Sequence, residues 1–139
     1  MDHRKPPKPP FYNKKIPGQC RVCGKVVLDK KGLRSKRAMW HPACVKEYKV
    51  IHFPSDTRKA VYKRDKGKCC KCGHQCARKH NDVWHLDHVK PLIEAKGNLD
   101  YWRLPNLQTL CIPCHTAKTS AEATARATAR KIEKDKLKK

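Results

Sequence analysis

The chain is poor in acid, in aromatic rings and in apolar length, and each shortage narrows what it can be. Only 12 Asp and Glu stand against 34 Lys and Arg, a formal charge of +22. So large an excess excludes an electrostatically neutral surface and calls for a polyanionic partner, nucleic acid by default. Phe, Trp and Tyr supply 6% of the residues, and mean hydropathy is −0.87. A large apolar core is thereby excluded, and 139 residues this polar need a staple: disulfides, metals or a partner. No run approaches membrane-spanning length, and the N-terminus lacks the apolar stretch of a secretion signal. The expectation is a cytoplasmic protein, neither secreted nor membrane-bound.

Cysteine is what the chain has in plenty. Its nine cysteines fall mostly in Cys-x-x-Cys pairs with histidine near two of them, which reads as zinc in a reducing compartment. Cys20-x-x-Cys23-Gly24 and His41-x-x-Cys44 offer three thiolates and an imidazole, the inventory of a closed tetrahedral zinc site. Gly24 permits a tight turn that brings backbone amides toward the sulfurs, and Lys25 to Arg37 reads as a short hairpin or loop. Cys69-x-x-Cys72-Gly73 repeats the knuckle, and Cys111-x-x-Cys114 supplies a partner pair for a second zinc site. Cys70 or Cys76 could replace Cys69 or Cys72 in that register.

Charge is unevenly spread. Residues 20–50 carry nine Lys and Arg against two acids, residues 51–80 nine against two, and residues 116–139 eight against three. Residues 81–115 carry three against four, and this is the segment that holds Asp87, His88, Asn106 and His115. A ribosomal or packaging protein that binds nucleic acid passively has no reason for such a gap. A cation-binding catalytic centre has one.

Residues 1–19 hold five of the ten prolines and read as a disordered basic arm, either touching phosphates or serving as a plain linker. The finger occupies 20–50, a basic helical linker 51–68, the candidate catalytic domain 69–120, and a basic C-terminal helix or tail 121–139. Within the linker a helix is expected over 54–66, preceded by Pro54, capped by Ser55 or Asp56, with Ala60, Val61 and Tyr62 as its apolar face. Arg58, Lys59, Lys63 and Arg64 crowd the rest of it, as a solvated charged face or, favoured by the total charge, a DNA-backbone contact. Residues 83–90 alternate as a short strand, 91–105 form a long loop, and 106–110 a second strand. A helix then runs from about Pro113, its last two turns expected to fray.

Hydrolysis of a phosphodiester needs an activated water, a cation on the phosphate and help for the leaving oxygen. Asp87 offers oxygen to a hard divalent ion, and a neutral imidazole is suited to taking a proton from water. His115 directly follows Cys114, so a zinc on Cys111 and Cys114 would also fix where His115 points.

The run Leu86-Asp87-His88-Val89-Lys90-Pro91-Leu92, followed by Asn106-Leu-Gln-Thr-Leu-Cys111-x-x-Cys114-His115-x-x-Lys118-Thr119, resembles the HNH endonuclease family. Arg64-Asp65-x-Gly67-x-Cys69-x-x-Cys72-Gly73 resembles the lead-in of its zinc-containing members, so the likeness spans residues 58–120. The finger at 20–44 resembles an N-terminal extension of some phage and bacterial relatives.

The resemblance implies a ββα-metal fold: a small α+β domain stapled by a four-cysteine zinc site, with an N-terminal zinc finger and a basic C-terminal helix. It implies that His88 is the general base, that Asp87 and His115 hold one divalent cation, and that Asn106 braces the loop presenting His88. Colicin-type relatives carry a further histidine where this chain has Thr119. Mg²⁺ or Mn²⁺ is therefore the expected catalytic ion, with Ni²⁺ or Zn²⁺ as alternatives. Lys96-Gly97-Asn98 stands where many members carry Gly-Gly. His85 shares a face with Asp87 and either approaches the metal or a phosphate, packs, or faces solvent. Lys90 and Lys118 are expected to contact phosphate or to steady charge in the transition state.

The implied function is metal-dependent cleavage of DNA, by nicking, double-strand cutting or both. The implied setting is phage genome packaging, recombination or restriction inside the host cell, with a terminase or another protein as partner. A non-catalytic zinc-finger nucleic-acid-binding protein is the alternative, and it leaves Asp87, His88, Asn106 and His115 unexplained.

Overall fold

The computed structural model describes residues 4–76 and 84–138. Val83, the first residue of the expected strand, lies outside the described residues. The chain divides into two units, residues 1–61 with 88–107 and residues 62–87 with 108–139.

In the first unit, helix α1 (Pro42–His52) opens on Pro42, where a missing N–H costs nothing. It runs through residue 50, so the expected border between finger and linker falls inside a helix. Helix α2 spans Pro54–Asp65, with Pro54 inside its first turn where the sequence suggested a residue ahead of it. The buried Thr57 hydroxyl donates to the carbonyl of Phe53 (2.9 Å) and to that of Val50, tying α2 to the end of α1.

Ile51, Ala95 and Trp102 form the core of this unit, with Leu92, Leu99 and Tyr101 packed around them. The expected loop at 91–105 is more ordered than its proline and glycine content suggests. It holds 3-10 turns at Leu92–Glu94, Leu99–Trp102 and Leu104–Asn106. The left-handed pair Lys96 (φ 48°) and Gly97 (φ 83°) separates the first turn from the second. Burial of Trp102 and the leucines holds the turns in place.

The basic arm departs from the expectation of disorder. Tyr12–Lys14 form a 3-10 turn, and the Tyr12 ring stacks on Tyr48 at 5.6 Å and 10°. The Arg21 guanidinium lies over the same ring and donates to the Tyr12 carbonyl. Two adjacent aromatics, Phe11 and Tyr12, give the segment the packing area that its prolines and lysines conceal.

In the second unit, strands β1 (Trp84–His88) and β2 (Leu107–Cys111) pair as one two-stranded sheet, each crossing the unit border by a single residue. Asn106 lies in the preceding 3-10 turn, outside β2. Helix α3 (Ile112–Leu137) leaves β2 without a linker and continues for 26 residues, roughly 39 Å, including the turns expected to fray. Cys69, Cys76, Trp84, Leu110 and Cys111 make the core, with Tyr62, Leu86 and Cys114 against it. Among the described residues no helix is long and apolar enough to cross a membrane.

One local design occurs in both units. The Gly24 N–H donates to the Cys20 carbonyl, and the Gly73 N–H to that of Cys69, each at 2.9 Å. Isolated bridges Gln19–Val26 and Lys68–Gln75 close the two turns. Gly67 has φ 69°, and a Cβ there would lie 2.6 Å from the Tyr62 hydroxyl, so only glycine fits.

Candidate metal centres and catalytic cluster

Cys20, Cys23, His41 and Cys44 bring one ligand atom each into a group spanning no more than 4.8 Å. Cys20 and Cys23 come from the first knuckle, His41 precedes α1, and Cys44 lies in its first turn. The His41 ring sets its own orientation: Nε2 is 2.9 Å from the Val26 carbonyl, while Nδ1 is 3.3 Å from the Cys23 sulfur. Donation from Nε2–H to that carbonyl leaves the Nδ1 lone pair aimed at the sulfurs, the usual outer support of a metal-binding histidine.

Cys69, Cys72, Cys111 and Cys114 form a second such group, with the Cys72 and Cys111 sulfurs 3.6 Å apart. Sulfurs around one zinc lie roughly 3.8 Å apart, since each Zn–S bond is about 2.3 Å. Cys111 precedes α3 and Cys114 lies in its first turn, matching His41 and Cys44 at α1.

The thiols show why each group calls for a cation. Burial pushes the Cys69 thiol up, but N–H groups of Cys111, Cys72 and Lys71 outweigh burial and bring it to about 6. Cys20 reaches about 6 in the same way, through N–H groups of Cys23, His41 and Val22. The last thiols to ionise are driven the other way, both to about 12. Burial and the neighbouring cysteines raise Cys44, and bonding to Cys111, then burial, raise Cys114. Such a set cannot hold all its thiolates without positive charge among them, and the donors fit zinc. Cys76 is buried beside the second group with its thiol pushed up by burial, and Cys70 is exposed.

Asp87 forms a third cluster in the second unit. Its side chain is only 10% exposed, yet it carries a carboxylate. Gln108 Nε2 donates to Oδ2 at 2.8 Å, and Lys118 Nζ lies 3.1 Å from the same oxygen. His115 Nε2 is 3.8 Å from Oδ1. That separation is too long for a hydrogen bond and shorter than two metal–ligand bonds of about 2.1 Å each, so one ion can bridge the pair. Oxygen and nitrogen donors of this kind fit a divalent cation. The His85 ring stacks on His115 at 4.4 Å and 19°. Lys118 also bonds Glu122 one helical turn on. Burial lowers the Lys118 pKa, but Glu122 and Asp87 outweigh it and the net shift is upward.

In the first unit, Asn106 is tied down on both sides of its amide. Oδ1 accepts the Lys90 N–H at 2.8 Å, and Nδ2 donates to the carbonyls of Lys90 (3.2 Å) and Tyr101 (2.9 Å). Its own carbonyl accepts the Val89 N–H at 2.8 Å. These bonds fix the chain just after His88, the half-buried last residue of β1.

The expected nucleic-acid contacts separate into two kinds. Lys59, Lys63 and Lys90 are exposed. Arg58 is half-buried with one guanidinium nitrogen out of solvent, Arg64 pairs with Asp65 at 2.9 Å, and Lys118 is held by Asp87 and Glu122. Three residues had no assigned role in the sequence: Gln108 on Asp87, Asp65 on the Thr109 N–H at 3.0 Å, and Glu122 on Lys118. Only the last was readable in advance, as an i, i+4 pair on a helix.

Comparison with known proteins places these clusters in context. Residues 69–121 match the HNH endonuclease family. The mouse DNA annealing helicase and endonuclease ZRANB3 is 39% identical over 49 residues, covering 35% of this chain and 4% of that protein. The human counterpart is 40% identical over 48 residues, 34% of this chain and 4% of its own length. A probable HNH endonuclease of Lactococcus phage SK1 is 40% identical over 67 residues, 45% of this chain and 65% of the phage protein. The chain thus spans a small part of the ZRANB3 proteins and about two thirds of the phage protein. No solved structure matches.

Proposed function

The chain belongs to the HNH endonuclease family through residues 69–121, and from that premise we propose that it is a metal-dependent DNA endonuclease with two structural zinc ions and one catalytic divalent cation. The observation that carries this reading is the buried Asp87 carboxylate facing His115 Nε2 at 3.8 Å, on a helix that starts from the second cysteine group.

Asp87 and His115 hold the divalent cation. Bound there, it supplies charge neutralisation at the scissile phosphate and at the departing oxygen. Gln108 fixes the Asp87 carboxylate, and the His85 ring fixes the plane of His115. His88 takes the proton from the attacking water as general base. Asn106 holds the backbone that follows His88 and touches no reacting atom. The cysteine groups bind zinc and act as staples: Cys20, Cys23, His41 and Cys44 for the N-terminal finger, Cys69, Cys72, Cys111 and Cys114 for the candidate catalytic domain. DNA as the substrate is supported by the charge of +22 and by exposed Lys59, Lys63 and Lys90. Likeness to a probable HNH endonuclease of a phage supports a phage setting, and packaging, recombination or restriction is the role proposed there.

Supercoiled plasmid incubated with the zinc-loaded protein and Mg²⁺ or Mn²⁺ tests the reading. Nicked or linear product that disappears with His88→Ala and with Asp87→Ala is expected. DNA binding without cleavage, or undiminished cleavage by His88→Ala, would overturn it.

A further inference from the structure

We propose that Lys118 is a built-in cation that occupies the Asp87 carboxylate in the ion-free protein, yields it to the divalent ion, and is retained by Glu122 when it does. The inference rests on the reading above, in which Asp87 binds that ion.

The geometry is that of a contested position. Lys118 Nζ lies 3.1 Å from Asp87 Oδ2 and 3.5 Å from Oδ1, so the ammonium spans both oxygens, including the one that faces His115. A divalent ion on Asp87 competes for those same oxygens, and two cations cannot share them without repulsion. A carboxylate only 10% exposed also needs a counter-charge when no ion is present, and Lys118 supplies it.

Glu122 completes the device. The same ammonium bonds Glu122 Oε1, an i, i+4 partner along α3. Lys118 and Glu122 side chains are 19% and 27% exposed, so both are largely withdrawn from water. A lysine displaced from Asp87 with no second acid would be left as a partly buried charge beside a divalent ion. With Glu122 in reach it keeps a salt bridge in both states. Only its contact with Asp87 is exchanged, and the half-buried cation remains near the cluster.

Mn²⁺ binding to the zinc-loaded full chain, followed by electron paramagnetic resonance, reads this directly because zinc is silent. Lys118→Met should bind Mn²⁺ about tenfold more tightly, the size of one charge-assisted hydrogen bond removed from the competition. Lys118→Arg keeps a cation and should stay close to the parent affinity. Glu122→Gln removes the acid that retains the displaced ammonium and should weaken Mn²⁺ binding several-fold. Unchanged or weaker binding by Lys118→Met overturns the competition. Parent-like binding by Glu122→Gln overturns the hand-over. Should Lys118→Met not fold, Lys118→Gln replaces it with the same expectation. Asp87→Asn separates the two readings: Mn²⁺ bound as in the parent rejects Asp87 as the ion's ligand. Loss of Mn²⁺ in Asp87→Asn together with an unmoved Lys118→Met rejects the exchange alone.

Discussion

The Asp65 carboxylate accepts the backbone N–H of Thr109 at 3.0 Å, joining the end of α2 to the middle of β2 across 44 residues. Asp65 also pairs with Arg64, and its side chain is 11% exposed. Burial pushes its pKa up, but the bond to Arg64 and the Thr109 N–H outweigh burial and hold it below the ordinary carboxylate value. The folded pKa therefore lies under the unfolded one of about 3.9. The resulting stabilisation is complete above that pH and fades as pH falls through the folded value.

Asp65→Asn keeps an acceptor for Thr109 and drops the charge, so it should cost about 1–2 kcal/mol at neutral pH. Denaturant unfolding followed by fluorescence of the buried Trp84 measures it. The difference from the parent should begin to shrink below about pH 4, where the unfolded chain protonates Asp65, and vanish once pH falls below the folded pKa. A gap that does not narrow as pH falls below about 4 would contradict the charge argument.

Zinc content and acid sensitivity test the cysteine groups. Two tightly held zinc ions per chain are expected, one for each group. Cys69 and Cys20 have folded values of about 6, depressed from the ordinary thiol, so their contribution in the metal-free chain is lost as pH falls through about 6. A bound cation pushes that loss to lower pH, because protons and metal compete for the same thiolates. Cys72→Ser or Cys114→Ser should lose one zinc and abolish the cooperative unfolding reported by Trp84. Full zinc content in either variant would show that the second group is not a zinc site.

Asn106→Ala removes the acceptor for the Lys90 N–H and the donor to Lys90 and Tyr101. If Asn106 is a brace, kcat should drop about 100-fold while Mn²⁺ affinity stays within a factor of two, because positioning is lost and the ion's ligands are kept. A parallel loss of Mn²⁺ binding would instead make Asn106 part of the ion's own site. Asp87→Ala should show the opposite pattern, folded and zinc-loaded but without Mn²⁺.

How much of this was legible in the sequence follows from the reach of each interaction. The cysteine groups were readable because Cys-x-x-Cys pairs are local patterns, and the structure brings the ligand atoms of each quartet within 4.8 Å of one another. The strand, strand and helix succession was readable from alternation around Asp87 and from the Ala-rich tail. Asp65 and Gln108 were visible as residues yet carried no role, since their partners lie 44 and 21 positions away and no local pattern encodes such pairings. The arm was misread for a different reason. Composition averages over Pro and Lys, whereas two rings, Phe11 and Tyr12, decide the packing. Lys118 was read by its charge: the i, i+4 spacing to Glu122 is local, but its hold on Asp87, 31 positions away, follows no local pattern.

The same distinction predicts how DNA affinity responds to salt. Each lysine that neutralises a phosphate releases counterions, so log K falls linearly with log salt in proportion to the number of such contacts. Lys59 and Lys63 lie on α2 and are exposed. Lys59→Ala and Lys63→Ala should each weaken binding uniformly across sequences and reduce the slope by about 1. Arg64 lies on the same helix but is paired with Asp65. Arg64→Ala should therefore act mainly on stability, lowering the unfolding free energy with little change in slope. Titration of a fluorescent duplex at several salt concentrations, alongside denaturant unfolding of each variant, distinguishes the two kinds of cation. A slope that falls equally for Lys63→Ala and Arg64→Ala would mean that Arg64 leaves Asp65 for the phosphate. Asp65→Asn should then strengthen DNA binding by freeing the guanidinium, which ties the salt response back to the Asp65–Thr109 bond.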